Sequence, residues 1–278
     1  MKVALVTGAS SGIGEATVRQ LISDGFTVFA AARRLERMQS LEAIGAKLIS
    51  LDLSDDSSIL AAMGEIGRAT SGRLDVLVNN AGYGSYGALE DVPMDEARRQ
   101  VEVNLMGLAR LCQLAIPLMR ERRSGTIINV SSVGGRFGEP FGSWYHATKF
   151  AVEGLSDCMR LELRPFGIRV VVIEPGAIRT EWNQIARDSL VERSGDTAYG
   201  PYARRHATML ANADASRSAS QPHVVARTIG QAVATESPRP RYPTGGGAKL
   251  ILFLVWLLPD WLLDRLMSRM SQSAVPAR

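Results

Sequence analysis

The sequence predicts an α/β fold: a single domain built on a doubly wound parallel sheet of about seven strands flanked by helices. Three observations predict it. Short apolar runs rich in β-branched residues alternate with longer amphipathic stretches along most of the 278 residues. The runs are nearly continuous in apolar residues, the mark of strands buried on both faces. The connections are short, and right-handed crossovers then lay helices on both faces of the sheet.

The elements follow in order. "KVALVT" (2–7) is the first strand, with a helix over 13–24. "TVFAAA" (27–32) precedes a helix over 34–44, and "AKLISL" (46–51) precedes one over 55–69. "LDVLVN" (74–79) leads to a long helix over 95–122, and "GTIINVS" (125–131) to one over 144–164. "IRVVVIE" (168–174) is the sixth strand. After Glu174 the rhythm breaks. Residues 176–221 carry scattered polar, Arg and Ala residues without a strand, a pattern of helices and loop. "HVVARTIGQAVA" (223–234) reads as a helix and "RYPTG" (241–245) as a short edge strand. No repeat, low-complexity tract or linker divides the chain. Residues 1–247 are therefore one domain, and 248–278 a hydrophobic helical extension packed on it.

Bulk composition narrows the function classes. Hydrophobic residues make up 46% and charged residues 22%, an ordinary globular balance. The net charge of +4 is mild, and "RRLER" (33–37) is too short to argue for nucleic acid. A basic bias serves an anionic cofactor equally well. Cys112 and Cys158 form no CxxC and read as reduced core or interface residues of a cytoplasmic protein. A strand beginning at residue 2 leaves no room for a secretory signal. His146, His206 and His223 lack metal-ligand spacing, so no metal is expected. "LILFLVWLL" (250–258) is too short to cross a bilayer, which takes about 20 residues. It is either a helix buried in a core or interface, or a peripheral membrane contact through 250–263.

Three motifs carry the chemistry. "VTGASSGIG" (6–14) joins the first strand to the first helix, with Gly8, Gly12 and Gly14 spaced G-x3-G-x-G. Glycines permit a tight turn and close backbone approach. The helix that follows offers free N–H groups and a positive dipole end to a pyrophosphate. Alone, the motif is as easily a glycine-rich turn, and its spacing differs from G-x-G-x-x-G. "NNAG" (79–82) ends the fourth strand. "YHATK" (145–149) sets a phenol and an amine on one helical face. A free phenol titrates at about 10, and a nearby ammonium lowers that value. A tuned tyrosine protonates a carbonyl oxygen or deprotonates an alcohol. His146 is aimed about 100° away on the helix and is expected to be non-catalytic. A Ser–His–Asp hydrolase would want G-x-S-x-G, and "YGSYG" (83–87) lacks the first glycine.

Together, these motifs resemble the short-chain dehydrogenase/reductase family in its ordinary, shorter branch. The resemblance runs from Lys2 to about residue 245. More loosely, "GAKLILFLVWLLPDWLLDRL" resembles the C-terminal helices of bacterial members near the hydroxysteroid and retinol dehydrogenases. It implies a Rossmann-like fold and hydride transfer between NADP(H) and a lipophilic ketone, aldehyde or secondary alcohol. Tyr145 would be the general acid/base, with Lys149 and a cationic oxidised nicotinamide lowering its pKa. Ser132, the second serine of "NVSS", would donate to the developing oxyanion, with Ser131 turned away. Asn104 in "VEVNLMG" would interrupt the helical ladder and hold a water reaching Lys149.

The same resemblance assigns the cofactor site. Gly8, Ser10, Ser11, Gly12, Ile13 and Gly14 would hold the pyrophosphate. The end of the second strand faces the adenosine ribose, where an acid suits NAD and a cation NADP. Ala32 stands where NAD-using members typically carry Asp, and Arg33 follows. NADP(H) is therefore expected over NAD(H), with Arg33 on the 2′-phosphate and Arg34 helping. The Asp52 carboxylate and Leu53 backbone would meet the adenine, or else Asp52 or Ser54 caps the next helix. Asn80, Ala81 and Gly82 would line the ribose side, and Asn104, Tyr145 and Lys149 the reacting end. Pro175 and Gly176 would shape the turn after the sixth strand. Ile178 backbone would meet the carboxamide and Thr180 the diphosphate, exposing the pro-S hydride. Segment 177–221 would cover the substrate, with aromatics from 82–93, 134–144 and Trp182 giving apolar walls. Family members often pair as homodimers or homotetramers through the helices holding Asn104 and Tyr145. Two alternatives stand beside this reading: a catalytically silent NADP-binding regulator, and a membrane-surface lipid, retinoid or steroid dehydrogenase.

Overall fold

A computed structural model describes residues 2–272 other than Arg217. The chain forms, in order, β1 (Val3–Thr7), α1 (Gly12–Ser23), β2 (Thr27–Ala32), α2 (Gln39–Glu42), β3 (Lys47–Ser50), α3 (Asp56–Thr70) and β4 (Val76–Asn79). It continues through α4 (Met94–Val101), α5 (Gly107–Glu121), β5 (Gly125–Val130), α6 (Ser143–Leu163) and β6 (Ile168–Pro175). The last part comprises α7 (Trp182–Ser194), α8 (Gly200–Ala215), α9 (Pro222–Ala234), β7 (Arg241–Thr244), α10 (Ala248–Leu257) and α11 (Asp260–Gln272). All seven strands run parallel in the order β3-β2-β1-β4-β5-β6-β7. The order reverses between β1 and β4, so a crevice opens at their carboxyl ends.

Successive residues of each strand feed opposite layers, as the two-residue strand period requires. Val3 and Leu5 of β1 join Ile59, Ile66, Leu111 and Val152 from α3, α5 and α6. Ala4 and Val6 join Val18, Leu21, Val225 and Ile229 from α1 and α9 on the other face. Burial on both faces is why these strands read as unbroken apolar runs. Truncating Leu111, fully buried, to alanine is a core deletion worth about 2–5 kcal/mol.

Two expectations change. The helix expected over 95–122 is interrupted by a π-turn at Glu102–Met106, between α4 and α5. The extra residue turns Asn104 inward, where its side chain bonds the Tyr83 backbone. The helix expected over 34–44 is a 3₁₀ segment at Leu35–Met38 followed by the one-turn α2. Only Met38 and Leu41 of it are buried, too few for an apolar stripe. Segment 176–221 folds into α7 and α8, packed on each other and closed by an Ile178–Ser220 bridge. At the C-terminus α10 lies against β7 and α11 against α8. Residues 273–278 of the expected extension lie outside the described residues.

Candidate active site

A cavity of about 810 Å³ occupies the crevice. Its floor is the β1–α1 turn. Gly8 and Gly12 hold positive φ of 66° and 58°, which side chains resist. Gly14 is helical, but a Cβ there would collide with the Gly8 carbonyl oxygen. Ser11 precedes α1 without a side-chain cap, leaving the first-turn N–H groups beside the cavity. Thr7 Oγ1 accepts from the Asn80 and Ala81 N–H groups at 3.1 and 3.0 Å. Asn80 Nδ2 donates back to the Thr7 carbonyl at 2.9 Å. The ends of β1 and β4 are thus locked together under the turn, and Thr180 faces Gly12 from the loop after β6. This uncapped helix start above a side-chain-free cradle fits a pyrophosphate.

At the ribose end, Arg33 and Arg34 are exposed on the cavity wall. Neither makes an ion pair among the described residues. Arg37 instead reaches over the mouth to Glu181, with contacts of 3.1 and 2.5 Å. Asp52 lines the cavity with its carboxylate folded onto Ser54, accepting from N at 2.9 Å and Oγ at 2.7 Å. Burial raises its pKa, but the Ser54 bonds outweigh this and keep it below the ordinary range. The cap of α3 is Asp55, which accepts from Ser57 N at 2.9 Å, so neither Asp52 nor Ser54 caps that helix.

Tyr145 and Lys149 lie on one face of α6, each 7% exposed. Lys149 Nζ donates to the Val130 carbonyl at 2.9 Å and sits 5.8 Å from the Tyr145 ring centre. Burial pushes Lys149 down to about 8, partly opposed by Glu153 one turn on. Burial likewise pushes Tyr145 up to about 12, opposed by a hydrogen bond with Ser132 and assisted by Glu139. In the protein alone, burial thus opposes the lowering expected beside a bound oxidised nicotinamide. Desolvation penalises both charged forms, and the amine gives its hydrogen bond to the Val130 carbonyl.

Ser132 follows β5 in extended backbone, and its Oγ accepts from Gly134 N at 3.0 Å. Ser131 is turned away: its buried Oγ would crowd a Cβ at Gly135, on the Glu153 side of α6. Asn104 is buried at the centre of the π-turn. Its Nδ2 donates to the Tyr83 carbonyl at 2.9 Å and its Oδ1 accepts from Tyr83 N at 3.0 Å. A Cβ at Gly82 would lie 3.1 Å from Asn104 Oδ1 and 3.8 Å from Lys149 Nζ. The missing side chain therefore brings the amide and the amine to one spot. Ala81, Pro175, Gly176 and Ile178 also line the cavity.

The structure adds residues that sequence reasoning missed. Tyr86 Oη donates to Glu139 Oε1 at 2.5 Å, and His146 Nε2 lies 3.7 Å from the same oxygen. Burial lowers the His146 pKa, but Glu139 and the Gly134 carbonyl raise it further, leaving it above the ordinary value. The Tyr86 ring stands 6.0 Å from that of Tyr145 and edge-on to Trp182. His206 of α8 stacks on Tyr86 at 6.3 Å. No local signal marks Glu139, because an acid beside Pro140 in a glycine-rich loop reads as a turn. Opposite, α10 and α11 supply an aliphatic wall from Ile251, Leu254, Val255, Leu263, Leu266 and Met267.

Comparison with known proteins agrees with this architecture. The family model for short chain dehydrogenase matches residues 2–190. The chain is 33% identical to a 3-ketodihydrosphingosine reductase of Bacteroides thetaiotaomicron, over 96% of this chain and 95% of that protein. It is 36% identical to human 17-beta-hydroxysteroid dehydrogenase type 1, over 87% of this chain and 77% of that one. The solved structure of a single-substitution variant of actinorhodin polyketide ketoreductase with NADPH is similar at a TM-score of 0.75 and 30% identity. The match covers 89% of this chain and 97% of that one. From the family match, the shared sheet architecture and near-complete coverage, we conclude that the chain belongs to the short-chain dehydrogenase family of oxidoreductases.

Proposed function

We propose that the protein transfers a hydride between NADP(H) and a lipophilic ketone, aldehyde or secondary alcohol, with Tyr145 as general acid/base. One observation carries this reading: the glycine cradle, Arg33, and the Ser132, Tyr145 and Lys149 side chains all open into one cavity whose far wall is aliphatic. When bound, the nicotinamide cofactor supplies or accepts the hydride. The chain's own residues do the rest. The α1 N-terminus and glycine turn receive the diphosphate, and Arg33 the 2′-phosphate. Tyr145 is a protonated phenol at neutral pH, so in reduction its Oη carries the proton that a carbonyl oxygen receives. Ser132 Oγ donates to that oxygen as charge develops. Lys149, still an ammonium below about pH 8, stabilises the phenolate left behind. Asn104, next to Lys149 across Gly82, lies on the route by which a proton returns.

Relatives at this level of identity include a 3-keto reductase and a hydroxysteroid dehydrogenase, which supports a lipophilic carbonyl or alcohol. The test is a panel of hydrophobic ketones and aldehydes offered with NADPH and with NADH. NADPH oxidation is expected, and Tyr145→Phe should lower kcat by about 10²-fold or more. Cofactor binding without turnover of any member would instead favour the regulatory alternative.

A second reading is favoured by the outer faces of α10 and α11. Leu250, Phe253, Trp256, Leu257 and Trp261 are exposed on helices whose inner faces line the cavity. The same enzyme would then take its substrate at a membrane surface. Met106, Phe150 and Leu161, exposed on or beside α5 and α6, support subunit pairing through those helices, which light scattering would test.

A further inference from the structure

We propose that His146 is a positioning residue that fixes the turn after β5 so that the Ser132 hydroxyl hydrogen points at the reacting oxygen. This rests on the role given above to Ser132.

His146 is buried, and its Nδ1 lies 2.7 Å from the Gly134 carbonyl oxygen. A carbonyl only accepts, so Nδ1 carries the proton whether the ring is neutral or charged. The same residue, Gly134, gives its own N–H to Ser132 Oγ at 3.0 Å. One glycine is thus held at both ends, by His146 through its carbonyl and by Ser132 through its amide. A serine hydroxyl has one hydrogen and two lone pairs. With a lone pair occupied by Gly134, the hydrogen is directed to the other side, toward the cavity that Tyr145 also lines.

The ring itself is immobilised sterically. A Cβ at Gly134 would sit 2.9 Å from His146 Cε1, and one at Gly142 would sit 2.7 Å from Cδ2. The loop therefore wraps the imidazole between two side-chain-free positions. Glu139, itself held by Tyr86, lies 3.7 Å from Nε2, on the ring edge opposite the one that meets Gly134. Tyr145 and His146 are neighbours on α6 with divided tasks. One carries the proton, and the other holds the turn that aims the second donor.

The experiment uses the full chain. Nitrogen-15 NMR of the histidines should show Nδ1 of His146 protonated at every pH at which the protein is folded. A neutral Nε2–H tautomer would overturn the proposal. In turnover, His146→Leu should lower kcat about 10- to 100-fold while leaving NADPH affinity unchanged. His146→Asn places an amide N–H near the Nδ1 position and should recover most of the loss. In a Ser132→Ala background, His146→Leu should add less than about twofold, because the group it positions is gone. Independent, multiplicative losses in that cycle, or an Asn variant no better than Leu, would refute the role. Should His146→Leu fail to fold, the tautomer and the Asn variant still decide. If Ser132→Ala alone leaves kcat unchanged, the assignment of Ser132 fails first and the His146 role fails with it. A large Ser132 effect with an independent His146 effect sinks only the latter.

Discussion

Lys149 Nζ stands 5.8 Å from the centre of the Tyr145 ring and donates to the Val130 carbonyl rather than to the phenol. An influence of the amine on the tyrosine must therefore be carried by its field and not by a hydrogen bond. The phenol is held at about 12 and the amine at about 8, so the amine is the group that titrates in the working range. Carbonyl reduction should be flat below about pH 8 and fall above it as the ammonium is lost. Glu153 is the anion that props this value up, so Glu153→Gln should move the falling limb to lower pH. The check is a kcat/KM profile of both proteins, and a limb that stays put would remove Lys149 from the assignment.

Stability should move in the opposite sense. Lys149 titrates at about 8 when folded, below its ordinary value of 10.5, so the unfolded chain binds more protons between these values. Stability then rises as pH climbs through that window, and below it the buried ammonium is a constant penalty. Lys149→Met should abolish turnover yet stabilise the fold at pH 7, by on the order of 1–3 kcal/mol less the lost bond to Val130. The advantage should shrink by pH 10. Thermal melts at the two pH values provide the measurement, and an equal difference at both would contradict the burial argument.

Arg33 gives the cofactor prediction. It is exposed on the cavity wall and makes no ion pair among the described residues, so its guanidinium is available to a phosphate. A charge-assisted bond of about 1.5–3 kcal/mol corresponds to roughly 10- to 100-fold in affinity. Arg33→Asp should weaken NADPH by that factor and leave NADH unchanged or tighter, read by fluorescence titration. Unchanged NADPH affinity would return the preference to some other group, Arg34 being the first candidate.

The sequence carries the sheet well because the inner strands, β1, β2, β4, β5 and β6, are buried on both faces. Leu5 and Val6 both have to be apolar, and such runs mark themselves. Gly8, Gly12 and Gly14 are legible for a similar reason: the turn tolerates nothing larger. What escapes is non-local. The π-turn around Asn104 depends on the Tyr83 backbone, twenty-one residues earlier, and no periodicity signals it. Glu139 becomes informative only when Tyr86 and His146 close on it. The burial that opposes the Tyr145 lowering escapes as well, because spacing reports that an amine is near, but not how dry the site is or that the amine bonds the Val130 carbonyl.

The outer face of α10 and α11 separates two occupants. Trp256 is 79% exposed and Trp261 66% exposed, on helices whose opposite sides wall the cavity. Aromatics of this kind settle at a bilayer interface, where ring and N–H are both satisfied. The flanking charges nearly balance, with Lys249, Arg265 and Arg269 against Asp260 and Asp264. Attraction to lipid would then be mainly apolar, so binding should survive high salt, unlike that of a polybasic dock. The full chain should float with phosphatidylcholine–phosphatidylglycerol vesicles in both low and high salt. The Trp256→Ser, Trp261→Ser double substitution should reduce the bound fraction about tenfold, since each ring withdraws well over roughly 100 Å² of apolar surface. Should vesicles fail to bind while the same substitutions halve the mass in light scattering, the face is a subunit contact. The aliphatic wall behind it would then be sealed by a second copy of the chain rather than opened to lipid.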